Sequence, residues 1–241
     1  MTTRDAVETN CSFRGRRLTL VDTAGVNRER SRRSNDFLHE LHIRTKWALQ
    51  RADVCVVCFD ATLGPPGNMP FLVANMCADE GRPVLFCATK WDAVLDGSAT
   101  AEAIDFQMRK EIGHCRQVNS VVVSATTGQN LALLLDQIIG LYDTWNKHVA
   151  AQQLSRFWTR LSKTVNIPSD FKIRRIKQVK TRPPTFKVHL QTRDEFALLS
   201  GVQTNLIRNA FAEEFGFKGV PIRLIQEVKP TRGDEIGRRS E

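Results

Sequence analysis

Three things are missing from this 241-residue sequence. No apolar run approaches the roughly 20 residues that a membrane-spanning helix needs, so no span is expected. The polar start, Met1 to Asp5, has neither the apolar centre of a signal peptide nor the amphipathic Arg/Ser-rich character of an organelle leader. There is also no cysteine and histidine grouping of the kind that holds a structural metal. Of the six cysteines (Cys11, Cys55, Cys58, Cys77, Cys87, Cys115), only Cys55 and Cys58 have CxxC spacing, with no second pair and no histidine cluster, so zinc is not expected. Cys55, Cys58 and Cys87 fall in strand-like apolar runs, which reads as reduced, buried thiols in a reducing compartment.

What is present is enough for a real core: 41% of residues are hydrophobic, and the length allows one large or two modest domains. The formal charge of +9 is unevenly divided. Residues 1–148 hold 17 Lys and Arg against 17 Asp and Glu, whereas residues 149–241 hold 18 against 9. A neutral module followed by a basic one points to a polyanion partner for the second.

Along the first module, apolar strand-like runs alternate with helical spacing. Strands are expected at residues 16–22, 54–60, 84–88 and 120–123, and helices at 37–51, 69–80, 101–112 and 131–145. A polar, arginine-rich loop covers 26–35. This alternation predicts an α/β fold with a mostly parallel sheet and helices on both faces. The runs 54–60 and 84–88 are apolar almost throughout, as in strands covered on both sides.

Each chemical motif stands immediately after a strand, where open α/β sheets bind ligands. Asp22 ends the first run and is followed by Thr23, Ala24 and Gly25. Such an Asp can hold Mg²⁺ through water, and a Gly lets its backbone N–H approach a phosphate. Thr89, Lys90, Trp91 and Asp92 follow the third run. A carboxylate at Asp92 can accept both N1–H and N2–H of guanine, and the Lys90 stem can lie across the base. Ser124 and Ala125 follow the fourth run. Thr2 and Thr3 are either a loose tail or the metal-binding switch segment of a nucleotide site. The joint order, Asp-x-x-Gly, then Thr-Lys-x-Asp, then Ser-Ala, points to a P-loop GTPase-type domain.

The residues TTRD at 2–5, VDTAGV at 21–26, RADV at 51–54 and TKWD at 89–92 resemble the second GTPase domain of the Der (EngA) family of ribosome-assembly GTPases. In the C-terminal part, QVKTRPPTF at 178–186 and GFKGVPIR at 216–223 are similar to that family's KH-like domain, so the resemblance covers nearly the whole chain. It implies GTP or GDP with Mg²⁺, and a monovalent cation such as K⁺. It gives Thr2 or Thr3 to Mg²⁺ alongside Asp22, and Thr23, Ala24, Gly25, Thr89, Lys90, Asp92, Ser124 and Ala125 to the nucleotide. Ala125 would turn its N–H to guanine O6. Two departures stand out. Thr89 replaces the usual Asn, and the Gly-x-x-x-x-Gly-Lys-Ser/Thr phosphate loop is absent together with the first strand and the first G domain. The reading favours an incomplete version of a longer protein, with little or no GTP hydrolysis by the chain as written. Val26 stands where Ras-like GTPases carry a water-orienting Gln, so slow turnover is expected unless a partner or cation assists.

The second module reads as a small α+β KH-like domain over 149–230, with a basic tail at 231–241 expected to order on RNA. A linking helix is expected from Leu154 to Val165, a basic strand at 172–180, a second strand at 186–190, helices at 196–199 and 206–215, and a last strand at 222–225. Gly216 to Gly219 spells a KH-type GXXG clamp but lies between a helix and a strand, and so reads as a helix C-cap and turn. Arg174, Arg175, Lys177 and Lys180 are the candidate RNA-binding side chains. Strand alternation would place Arg175 and Lys177 on one face and Arg174 and Lys180 on the other. The expected partners are rRNA, the pre-ribosomal large subunit and ribosomal proteins, with no membrane and no DNA, in a mitochondrial matrix or other organelle, or else a bacterial cytoplasm. The competing expectation is a non-hydrolysing rRNA-binding factor in which the G-like fold is only a scaffold.

Overall fold

In the first module, strands begin earlier than residue 16. The computed structural model describes residues 7–22, 49, 51–111, 118–163, 171–192 and 196–230, excluding the side chains of 109–111 and 229–230. Strand β1, Val7–Phe13, forms an antiparallel hairpin with β2, Arg16–Asp22, in a register that runs from Val7 opposite Asp22 to Phe13 opposite Arg16. The two-residue turn, Arg14 and Gly15, has positive φ at both positions (48° and 76°), which matches the right-handed twist of the flanking strands. The hairpin is held to the rest of its unit by ion pairs, Arg51 to Glu8 at 3.1 Å and Arg14 to Asp136 at 2.9 Å.

Strands β3 (Cys55–Asp60), β4 (Val84–Thr89) and β5 (Ser120–Val122) form a parallel sheet in that order. Helices α1 (Asn68–Asp79), α2 (Gly97–Glu111) and α3 (Leu131–Trp145) follow the three strands in turn. Parallel neighbours need such crossovers. The central strand β4 is buried from Val84 to Ala88, as its unbroken apolar run implies. β3 is covered on one face only: Cys55, Val57 and Phe59 are buried, while Cys58 is exposed. The expectation of a buried Cys58 is therefore corrected. Phe86, with no exposed surface, packs against Phe71 at 5.5 Å and Phe59 at 6.3 Å between ring centres, which fastens α1 to the sheet. The helix expected at 37–51 lies outside the described residues except at Leu49, which is helical and buried, and Arg51.

The chain divides into two compact units between Tyr142 and Asp143, a few residues before the boundary read at 148. The second unit orders its elements as α4 (Ala151–Leu161), β6 (Lys172–Thr181), β7 (Pro184–Thr192), α5 (Gly201–Phe215) and β8 (Arg223–Pro230). β7 is central, antiparallel to β6 and parallel to β8. Phe157 of α4, Phe186 of β7 and Phe211 and Phe215 of α5 join in one aromatic cluster, with Phe157 and Phe186 at 4.9 and 4.5 Å from the Phe211 ring. Both helices thus cover the same face of the sheet, and the other face is left for charged side chains.

Three expectations are corrected here. Residues 196–199 are not helical: the Gln226 amide accepts from the Leu199 N–H at 2.7 Å and donates to the Leu199 carbonyl at 3.3 Å, and α5 starts only after its N-cap, Ser200. The linking helix stops at Leu161. β8 continues to Pro230, well beyond the expected end at 225. Gly216, by contrast, is the left-handed C-cap of α5 at φ 69°, its N–H donating to the Ala212 carbonyl, as the C-cap reading required.

Candidate functional site

Parallel register brings Asp60, at the end of β3, opposite Thr89, at the end of β4. The Thr89 hydroxyl donates to the Phe59 carbonyl at 2.9 Å, so the side chain that replaces the usual Asn is spent on joining the two strand ends. Lys90 then takes a left-handed backbone conformation at φ 58°, and its ammonium donates to Asp60 Oδ2 at 2.6 Å. Asp60 also accepts from the Thr62 N–H and hydroxyl at 3.0 and 2.6 Å, capping the single 3₁₀ turn Ala61–Leu63. The Lys90 ammonium, first, and then the Thr62 hydroxyl hold the Asp60 carboxyl down to about 2, below its ordinary 3.8.

Asp92 is exposed in the first turn of a second 3₁₀ segment, Trp91–Ala93. The loop carrying it is fixed to the next strand end, because the Trp91 N–H donates to the Val123 carbonyl at 3.1 Å and the Val123 N–H to the Ala88 carbonyl at 2.8 Å. Ser124 is fully buried, with its hydroxyl accepting from the Thr127 N–H at 3.1 Å and its N–H donating to the Gln129 carbonyl at 3.2 Å. These bonds fold the 124–129 segment tightly and leave Ala125 exposed beside the Trp91–Asp92 loop. An exposed carboxylate and an exposed small residue on two loops tied by backbone hydrogen bonds fit the edge of a flat, hydrogen-bonding base.

Asp22 is placed differently. It is exposed at the end of β2, which pairs only with β1 among the described residues, whereas Thr89 ends β4 of the parallel sheet and Lys90, Asp92 and Ser124 lie in the loops that follow β4 and β5. Its charge nevertheless acts on the Cys58 thiol of β3, which puts the carboxylate within electrostatic reach of that strand. Thr2, Thr3, Thr23, Ala24 and Gly25 lie outside the described residues, so of the phosphate and metal side of the site only Asp22 has a described position.

In the second unit the four basic candidates are all exposed, which corrects the expectation that they divide between the two faces of β6. Two register shifts, between Ile173 and Arg175 and between Gln178 and Lys180, break the alternation, so Ile173, Ile176 and Gln178 turn inward while Arg174 and Lys180 escape burial. The open face gains residues that the sequence reading missed. Lys187 stands opposite Lys177, and His189 opposite Arg175. Glu227 on β8 pairs with Lys187 at 2.8 Å and lies 3.6 Å from His189. Asp60 was missed in the same way. A strand-end carboxylate is an available signal, but its partner Lys90 is 30 residues away and only the register joins them.

Residues 148–226 match the family described as the KH-domain-like C-terminal domain of EngA bacterial GTPase enzymes. The sequence is 30% identical to GTPase Der of Caldanaerobacter subterraneus subsp. tengcongensis over 225 residues, 92% of this chain and 50% of that protein. It is 31% identical to GTPase Der of Parvibaculum lavamentivorans over 230 residues, 92% of this chain and 47% of that protein. The chain thus spans about half the length of the curated relatives it matches. Among solved structures, Era in complex with MgGDPNP and a segment of 16S ribosomal RNA is 20% identical, with a TM-score of 0.48, covering 95% of this chain and 82% of that one. The similarity is to the Der (EngA) family, and it takes in the second G domain and the KH-like domain, as the motifs indicate.

Proposed function

We propose that this chain is the guanine-recognising and RNA-docking part of a ribosome-assembly GTPase acting on the large subunit. The observation that carries the reading is the coupling of the Thr89–Asp92 loop to the Ser124–Ala125 loop through Trp91 and Val123. On this reading Asp92 accepts from N1–H and N2–H of guanine, a pairing that adenine cannot reciprocate. The Lys90–Asp60 ion pair draws the lysine stem along the strand ends, where it can flank the base. GTP or GDP is therefore the proposed ligand, with Asp22 the one described residue available to a Mg²⁺ ion or its water.

On the second unit, the open sheet face is the proposed rRNA surface. Lys177 stands directly opposite Lys187, whose ammonium is already paired with Glu227, so the face carries more basic than acidic side chains. Arg174, Arg175 and Lys180 extend the basic surface, and phosphate neutralisation along it would release counterions.

The test is the preference for GDP over ADP. Asp92→Asn should weaken GDP binding by about 1–3 kcal/mol, the scale of removing a charge-assisted hydrogen bond, and leave ADP unchanged. Equal affinities of the unaltered protein for the two nucleotides would end this reading. A second reading, a non-hydrolysing rRNA-binding factor, is favoured by one feature: among the described residues Asp22 ends a strand of the β1–β2 hairpin, whereas the Asp92 loop follows β4 of the three-stranded parallel sheet. It predicts RNA binding indifferent to any nucleotide.

A further inference from the structure

Cys58 and Cys87 are opposite one another on neighbouring parallel strands, as registered partners in the β3–β4 ladder. Adjacent strands lie roughly 4.8 Å apart, within the about 4.4–6.8 Å over which two α-carbons accept a disulfide. Both side chains point to the same face. Val57 and Phe59 on β3, and Phe86 and Ala88 on β4, fill the core on the other side, so alternation sends the intervening cysteines away from it together. The two thiols are close enough to perturb each other's ionisation.

Their surroundings make them unequal. Cys58 is exposed, and Cys87 is 2% exposed. Hydrogen bonding from Cys87 lowers the Cys58 thiol from its ordinary value, against opposing effects of burial and the Asp22 charge. The same contact, with burial, pushes Cys87 far up. The thiolate, which is the nucleophile, therefore belongs to the accessible member. A second pair, Cys55 on β3 and Cys77 on α1, is also in contact, but both members are buried and Cys55 is pushed up by Cys77 and by burial. That pair has no access for an oxidant.

We propose that Cys58 and Cys87 form an oxidisable dithiol, with Cys58 the attacking and Cys87 the resolving cysteine, and a hydroperoxide the oxidant. The Cys58 thiolate attacks one peroxide oxygen and the O–O bond breaks. The other oxygen leaves as hydroxide and takes a proton to become water, leaving Cys58 as the sulfenic acid. The Cys87 thiol then loses its proton as its sulfur attacks Cys58 Sγ. The sulfenic oxygen departs as a second water, and the S–S bond closes. Two thiols lose two electrons in all, and hydrogen peroxide becomes two waters. The bridge joins β3 and β4 two residues before the Asp60–Thr89 pair, directly beneath the strand ends that carry Lys90. Strand register and thiol access alone carry this dithiol, so it stands or falls separately from the nucleotide reading.

The test treats the whole chain with a few equivalents of hydrogen peroxide, alkylates the remaining thiols under denaturing conditions and cleaves before aspartate. Residues 53–59, 60–78 and 79–91 then separate Cys58, Cys77 and Cys87 onto different peptides. The expected product is a linkage between 53–59, alkylated at Cys55, and 79–91, two hydrogens lighter than the sum of those two peptides and reversed by dithiothreitol. Cys58→Ser should abolish it, and Cys55→Ser should not. In Cys87→Ala, chosen beside Cys87→Ser because the site is buried, Cys58 should run on to the sulfinic acid. Over-oxidation of Cys58 in the unaltered protein with Cys87 still alkylatable, or a linkage through Cys77 or Cys11, would overturn the proposal. So would persistence of the 53–59 to 79–91 linkage in Cys58→Ser.

Discussion

Asp60 ends β3 with its carboxylate 2.6 Å from the Lys90 ammonium, and that ion pair sets how the first unit answers to acid. Its folded value of about 2 lies below the ordinary 3.8. The pair therefore contributes stability above pH 3.8 that is lost as pH falls through about 2. Because both groups have access to water, the contribution is small and salt-sensitive. An NMR titration of the Asp60 carboxyl should give a midpoint near 2 in the unaltered protein, moving back toward the ordinary range in Lys90→Gln. A midpoint already at the ordinary value with Lys90 present would mean that the pair does not persist in solution. Asp92, Thr89, Lys90 and Ser124 were legible in the sequence because each directly follows an apolar run, and a strand end in an α/β sheet faces the ligand crevice. Asp60 follows such a run too, yet its role depends on a lysine brought opposite by register, which spacing alone does not reveal.

Some elements followed the sequence because their own residues decided them, and others departed where a distant side chain acted. The helix at 131–145 and the strand at 84–88 needed only their own residues. β1 was readable in principle, since Val7, Thr9, Cys11 and Phe13 alternate with polar residues ahead of an Arg14–Gly15 turn, but its polar positions masked the alternation. The bulges of β6 were not readable, because Gln178 acts at a distance. Buried at 8% exposure, it accepts from the Val149 N–H at 2.7 Å and donates to the carbonyls of Lys147 and Lys180. Gln178→Leu should strand these backbone groups and cost the second unit about 1–3 kcal/mol, measured as a lower midpoint of its denaturant transition. Replacing the exposed pair, Arg175→Glu with Lys177→Glu, should barely move that midpoint. It should instead weaken RNA binding across sequences and flatten its salt dependence. Should the double reversal unfold the unit while binding keeps its salt slope, the RNA surface lies elsewhere.

Across the whole chain, charge and chemistry divide along the same line. The first module is neutral overall and holds the candidate base-recognition loops, and the second holds the entire +9 excess. Composition revealed that division before any fold was known, because net charge needs no tertiary information, whereas the pairing of Lys177 with Lys187 needed the sheet. With nucleotide assigned to one unit and RNA to the other, the most direct measurement is an amide chemical-shift map of the isotope-labelled chain titrated with GDP and, separately, with ADP. The expected result is that GDP shifts Trp91, Asp92 and Ala125, that ADP at equal concentration does not, and that β6 and β7 stay unmoved by either. Equal shifts from both nucleotides, or GDP shifts confined to the basic sheet, would contradict the assignment.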